Sequence, residues 1–363
     1  MIGIIGFNDL HLMPFTLKYT NILDELNISD YEVVFWNRTG IEYKKDFNGN
    51  AISYDRKVNT YLPFHKKILS FLGYAFFMRK VIKEKKYQKL IILTTPTAVP
   101  LYDILTRKYQ GKYIYDYRDL TKETKSKFFK TIVRKLIRKS EFTMMSSFGF
   151  LKDLEVEKTD HIILSHNTRE LCQNSGNHAK VNTELPIRIV FWGMVRQPYF
   201  NTSFCDVFGN DKRFTLTYHG EGFFEEIRQY CEKQGYQNIH FTGRYEISDI
   251  SKFAEETDIL HCVYEYDKDP KMRTALQVKM YDAIKYRIPL LLYSGSYVSE
   301  YVGNYALKFD VDMHSVQTLA DDIYHWYRGI HKETLDKDFH ELEKKVYTDD
   351  LQFKNALIQF VEA

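Results

Sequence analysis

The chain has 363 residues, enough for two domains that each bury a core, and its 44% apolar and 27% charged residues exclude extended disorder. A net charge of +3, with basic runs that match no nucleic-acid reading motif, argues against a nucleic-acid partner. No fixed-period repeat or low-complexity tract is present.

The opening MIGIIGF reads as a strand and lacks the basic segment and cleavable apolar stretch of a secretory leader. Four scattered cysteines, Cys172, Cys205, Cys231 and Cys262, form neither a C-x-x-C pair nor a zinc pattern, so reduced thiols in the cytoplasm are expected. Further strands are expected at YEVVFW (31–36), KLIILT (89–94), KYIYDY (112–117), FTMMSS (142–147) and HIILS (161–165), with helical patterns such as FTLKYTNILDEL and TIVRKLIRKS between them. This alternation predicts an α/β fold with a mostly parallel, doubly wound sheet, because each parallel crossover needs a helix.

Two basic stretches lie in this half. Lys66, Lys67, Arg79, Lys80, Lys83, Lys85 and Lys86 are opposed only by Glu84, and KSKFFKTIVRKLIRKS (125–140) interleaves cations with apolar residues at helical spacing. The second reads as a helix with a basic outer face, suited to an anionic membrane surface. The apolar run ILSFLGYAFFM (68–78) is too short to span a bilayer, so any membrane association is expected to be peripheral.

A polar segment, CQNSGNHAKVNTELP, reads as a linker, after which the alternation restarts. Strands are expected at IRIVFWG (187–193), FTLTYHG (214–220), NIHFTG (238–243), DILHCVY (258–264), PLLLY (289–293) and YALKF (305–309), and the C-terminal DFHELEKKVYTDDLQFKNALIQFVEA reads as helix. The expected division is a domain at 1–175, a linker at 176–186, a second domain at 187–335 and a C-terminal helix at 336–363 that packs back on the first domain.

Three strands of the second half end in Gly193, Gly220 and Gly243, where a tight turn lets a ligand approach. Ligands of open α/β sheets bind at such carboxyl ends. Arg196, Arg244 and Arg273 lie nearby, and guanidinium forks match phosphate oxygens. In QVKMYDAIKYRIPLLLY (277–293) an amphipathic helix runs into a strand, with Lys279 placed for phosphate near the helix N-terminus and Asp282 for a ribose diol. Neither a complete G-x-G-x-x-G nor a Walker loop is present.

The G-x-x-R turn at Gly193, the F-x-G turn at Gly243 and the stretch K-M-Y-D-A-x-K-x-x-I-P resemble the GT-B glycosyltransferases of the GT4-like kind, especially those of bacterial capsular and exopolysaccharide assembly. The segments NDLHLMPFTLKY (8–19), VVFWNRTG (33–40), GKYIYDYRDLTKE (111–123), SSFGF (146–150) and LSHN (164–167) resemble the ordered motifs of the same enzymes, so the likeness spans almost the whole chain. It implies two Rossmann-like domains facing across a cleft, a nucleotide diphosphate sugar donor, most simply UDP-linked, bound by the second domain, and a lipid-linked saccharide acceptor bound by the first. It also implies a cytoplasmic enzyme peripheral to the inner membrane face, with no cofactor and no metal. No D-x-D is expected at a strand end; the DVD at Asp310–Asp312 lies far along the chain.

Val278 and Asp282 stand where those enzymes carry Asn and Glu, and Thr274 stands where the first glutamate of their E-x7-E motif is expected. Arg118, Asp119 and Glu123 follow KYIYDY and His11 follows the first strand, so all four are candidate catalytic or acceptor-contacting residues, with Asp119 or Glu123 as base. Two other functions share the implied fold: a sugar-nucleotide epimerase, and a non-catalytic nucleotide-sugar-binding subunit, which the missing glutamate favours.

Overall fold

The computed structural model describes residues 1–58, 64–121, 123, 125–168, 178–266 and 270–363, with the backbone alone at 64–67 and 270. Cys172, the side chains of Lys66 and Lys67, and the start of the linker at 176–177 lie outside the described residues. The chain divides into two units, Met1–Cys172 with Val346–Ala363, and Gln173–Lys345.

The first unit carries seven strands: β1 (Ile2–Ile5), β2 (Tyr31–Asn37), β3 (Asn50–Asp55), β4 (Lys89–Leu93), β5 (Tyr113–Tyr117), β6 (Phe142–Met145) and β7 (Ile162–Leu164). They form one sheet in the order β3-β2-β1-β4-β5-β6-β7, and every pairing is parallel. Apolar strands such as KLIIL are buried on both faces, as parallel sheets require. One face is covered by helix α1 (Thr16–Glu25) and the end of the Lys332–Glu362 helix, where Tyr19, Ile22 and Leu23 meet Phe353, Leu357 and Phe360 over β1 and β2. Helix α2 (Phe64–Lys85) packs Tyr74 and Met78 inward, and Tyr74 stacks on Trp36 at 5.2 Å.

The second unit carries β8 (Ile187–Trp192), β9 (Phe214–His219), β10 (Ile239–Gly243), β11 (Ile259–Cys262), β12 (Leu290–Tyr293) and β13 (Lys308–Val311). Its sheet, ordered β10-β9-β8-β11-β12-β13, is also wholly parallel. Strand order reverses between β8 and β11, and this switch point opens a crevice at the carboxyl ends of the two strands.

Two elements depart from the sequence expectation. Edge strand β3 belongs to no expected run, because NAISYD is partly exposed and carries little apolar alternation. The YALKF strand begins three residues later, at Lys308: the Ala306 N–H donates to Asp338 (2.7 Å) and its carbonyl accepts from the Trp326 indole (3.2 Å), so neither group is left for the ladder. The DVD segment accordingly ends β13. Its carboxylates are engaged locally, Asp310 with Ser299 and Lys308 and Asp312 with the His314 N–H.

Candidate functional site

The crevice between β8 and β11 is built around one ammonium group. Lys279 lies in the Val278–Tyr286 helix, whose Gln277 cap makes no side-chain cap bond to the first-turn N–H groups. The lysine stem is buried, its Nζ stands 4.0 Å above the Phe191 ring of β8, and it donates to the Tyr264 hydroxyl just past β11. Two rings hold the cation where the strand order reverses, at about 1 kcal/mol for each such contact. Beneath it, His261 is fully buried and its imidazole is pushed down to about 3 by burial and by Lys279, so the lysine carries the positive charge alone.

The glycines explain how backbone and cation fit. Gly193 has φ +129°, and a Cβ there would come within 3.4 Å of Lys279 Nζ, so a side chain would cover the ammonium. Gly220, at φ +148°, faces the Gly193 carbonyl oxygen so closely that any Cβ would overlap it. Hydrogen bonds tie the turns laterally: Gly193 N–H to His219 O (2.9 Å), Gly220 N–H to Gly243 O (2.8 Å) and Val195 N–H to Glu221 O (2.7 Å). Gln197 locks the turn after β8 to the loop after β11, donating to Glu265 O (2.6 Å) and accepting from Glu265 N–H (3.0 Å).

Asp282, one turn beyond Lys279, accepts a hydrogen bond from the Trp192 indole at 2.9 Å. Burial raises its carboxyl above the ordinary range, against the pull of that bond and of Lys279 and Lys285. Thr274, at the end of the Pro270–Thr274 helix, is buried. Arg196, Arg244 and Arg273 are exposed; the first two lie in the loops after β8 and β10, and Arg273 lies in the Pro270–Thr274 helix that follows β11. Arg244 faces Glu221 at 3.9 Å, and the Arg273 guanidinium covers the Tyr266 ring at 5.4 Å. The structure thus places Gly193, Lys279 and Asp282 around one crevice and the arginines in the segments that follow its strands. Sequence reading missed Trp192, Phe191, Tyr264 and Gln197: the first three sit in apolar strand-like runs that read as core.

The N-terminal candidates separate. Arg118 is buried, chelates Asp116 through two nitrogens, and donates to Ser165 O and Ser165 Oγ, both at 3.0 Å, while covering Phe15. Glu123 is buried too, accepting from the Tyr117 hydroxyl (3.0 Å) and from the Thr121 N–H (2.5 Å) and hydroxyl (3.0 Å). Both side chains hold the loop after β5. Asp119 between them is exposed. His11 is exposed in the one-turn helix after β1 and lines a cavity of about 310 Å³ with Met13, Leu17, Ile41, Tyr43 and Phe47.

No protein-family model matches this chain, and neither does any curated protein sequence. Solved structures do match it in fold. A sucrose-phosphate synthase from Thermosynechococcus elongatus superposes with a TM-score of 0.69 at 12% identity, covering 99% of each chain. The lipopolysaccharide outer core galactosyltransferase WaaB in its apo form gives 0.65 at 13% identity, again with 99% of each chain. Anabaena HepE, in complex with UDP and glucose, gives 0.67 at 11% identity and 98% of each chain. The architecture is therefore GT-B, two α/β units with wholly parallel sheets of seven and six strands.

Proposed function

We propose that this protein is a glycosyltransferase that moves one sugar from a nucleotide diphosphate sugar, UDP-linked, onto a lipid-linked saccharide in bacterial surface polysaccharide assembly. One observation carries the reading: a buried, ring-held ammonium at the switch point of the second sheet, with a carboxylate one helical turn away. Lys279 would face the diphosphate with Arg196, Arg244 and Arg273, and Asp282 would accept from the ribose diol. In the transfer, an acceptor hydroxyl oxygen bonds to the anomeric carbon as the bond from that carbon to the diphosphate oxygen breaks. Negative charge grows on the leaving diphosphate, and the cations stabilise it most there. The hydroxyl proton passes to Asp119 or to the leaving phosphate. The reading needs no metal, and activity is expected to persist in chelator.

A thermal-shift screen of nucleotides and nucleotide sugars tests the donor site. Wild type is expected to be stabilised by UDP or a UDP-sugar, and Lys279→Ala and Asp282→Ala to lose most of that shift. If no uridine, guanosine or thymidine diphosphate stabilises the wild type, or if Asp282→Ala keeps the full shift, the donor site is wrong. The buried Thr274 in place of a glutamate favours a second reading, a nucleotide-sugar-binding subunit without chemistry of its own. Ligand stabilisation without sugar transfer to any lipid-linked acceptor would select it.

A further inference from the structure

The outward face of α2 carries side chains that a water-facing helix rarely keeps. At 100° per residue, Leu69, Leu72 and Phe76 fall on one line with Lys80 and Lys83, while Tyr74, Met78, Val81 and Ile82 fall on the opposite, buried side. Leu69 and Phe76 are each 71% exposed and Leu72 is 51% exposed. Such a contiguous apolar stripe marks an interaction surface more often than plain solvent contact.

The stripe belongs to a larger face. The β3-to-β4 and β5-to-β6 crossovers run in the same direction across the sheet, so right-handed connection puts α2 and the Lys127–Lys139 helix on the same side. Both helices run antiparallel to the strands, and Phe128, 76% exposed in its helix's first turn, therefore lies toward the same sheet end as Leu69. The segment between them closes the gap: Arg79 chelates Asp103 at 2.7 and 2.6 Å, and Lys135 stands 5.5 Å above the Tyr102 ring. The elements that build it are rich in exposed cations, Lys83 on α2, Arg107 and Lys108 in the segment between, and Lys127, Lys135 and Arg138 on the second helix, while the exposed carboxylates Glu84 and Asp103 pair with Lys80 and Arg79. By contrast, the Lys127–Lys139 helix turns Val133, Leu136 and Ile137 inward and pairs Lys130 and Arg134 with Glu155, leaving Phe128 as its one largely exposed apolar side chain.

We propose that this face docks on an anionic lipid bilayer, with Leu69, Leu72 and Phe76 of α2, joined by Phe128, entering the headgroup boundary while the surrounding cations meet lipid phosphates. The proposal rests on the membrane-surface reading above and names the surface that serves it. Apolar side chains exposed to water gain by entering the acyl boundary, and surrounding Lys and Arg add attraction to anionic headgroups. A protein partner would need acidic complementarity to the same cations, which the bilayer supplies without sequence specificity.

The test is sedimentation of the full chain with phosphatidylcholine vesicles, with and without phosphatidylglycerol. Wild type is expected to bind the anionic vesicles and to weaken in high salt, and Leu69→Gln/Phe76→Gln to lose at least about tenfold in partitioning. Thermal unfolding should be unchanged, since both side chains face outward. As a second readout, Phe76→Trp is expected to blue-shift on vesicle binding and to be quenched by brominated lipid. No vesicle binding by wild type would overturn both the membrane-surface reading and this proposal. Binding undiminished in the double variant, or an unquenched Trp at position 76, would overturn this proposal alone. A wild-type dimer that the double variant dissolves, without vesicle binding, would assign the face to a second copy of the chain and also overturn it.

Discussion

Asp282 is held where a carboxyl is harder to ionise than on an open surface, and a single indole N–H works against that burial. Trp192→Phe keeps the ring and removes the donor. The indole bond favours the charged carboxylate, so its loss should raise the carboxyl further in the same direction that burial already pushes it. Under the proposed donor reading the Asp282 contact needs the ionised form, so nucleotide binding would fall as pH drops toward the raised value. The UDP thermal shift should therefore disappear at a higher pH in the variant than in wild type. Superimposed profiles would show that the indole bond does not tune the site. Lys279 and Asp282 were legible in the sequence because a three-residue helical spacing is local. The partners that define them, Trp192 and Phe191, lie about 90 residues earlier and read as ordinary strand residues.

At the scale of elements, α1 and the end of the Lys332–Glu362 helix are joined by a buried pair. Lys18 and Asp350 are each 1% exposed and meet at 2.7 Å, with the ammonium also donating to His166 O at 3.3 Å and lying 4.9 Å from the Phe353 ring. Burial lowers the affinity of Lys18 for its proton, and Asp350 opposes this. Removing one partner leaves a buried charge, so Asp350→Asn should cost about 3–5 kcal/mol in urea unfolding, and Lys18→Met/Asp350→Leu should recover most of it. Equal stability of Asp350→Asn and wild type would show that the pair contributes little. Sequence placed Lys18 on a helix, but nothing local marks it as buried. Arg118 and Glu123 show the same limit: their position after a strand was legible, whereas the Ser165 and Tyr117 contacts that turn them inward come from packing.

Across the whole molecule, tyrosine is the main titrating core residue. Tyr19, Tyr74 and Tyr115 in the first unit and Tyr218 in the second are fully buried, and burial holds each hydroxyl well above the ordinary value of 10. Raised folded-state values mean that this stability is complete below pH 10 and is lost as pH rises above it, because the unfolded chain releases those protons first. Tyrosinate absorbance should therefore rise above about pH 10 in step with loss of helical circular dichroism. Full titration near that pH with intact dichroism would contradict the buried assignments.

The sequence by itself determined the alternation of strands and helices, the two-part organisation and the glycine-ended turns, because each rests on periodicities of two to four residues and on backbone freedom at single positions. Tertiary structure decided which end of which strand faces Lys279, that β8 and β11 form the switch point, that β3 joins the edge, and that α2 exposes apolar side chains. Those facts depend on strand order and crossover handedness, which bring together residues far apart in the chain and leave no local trace in it.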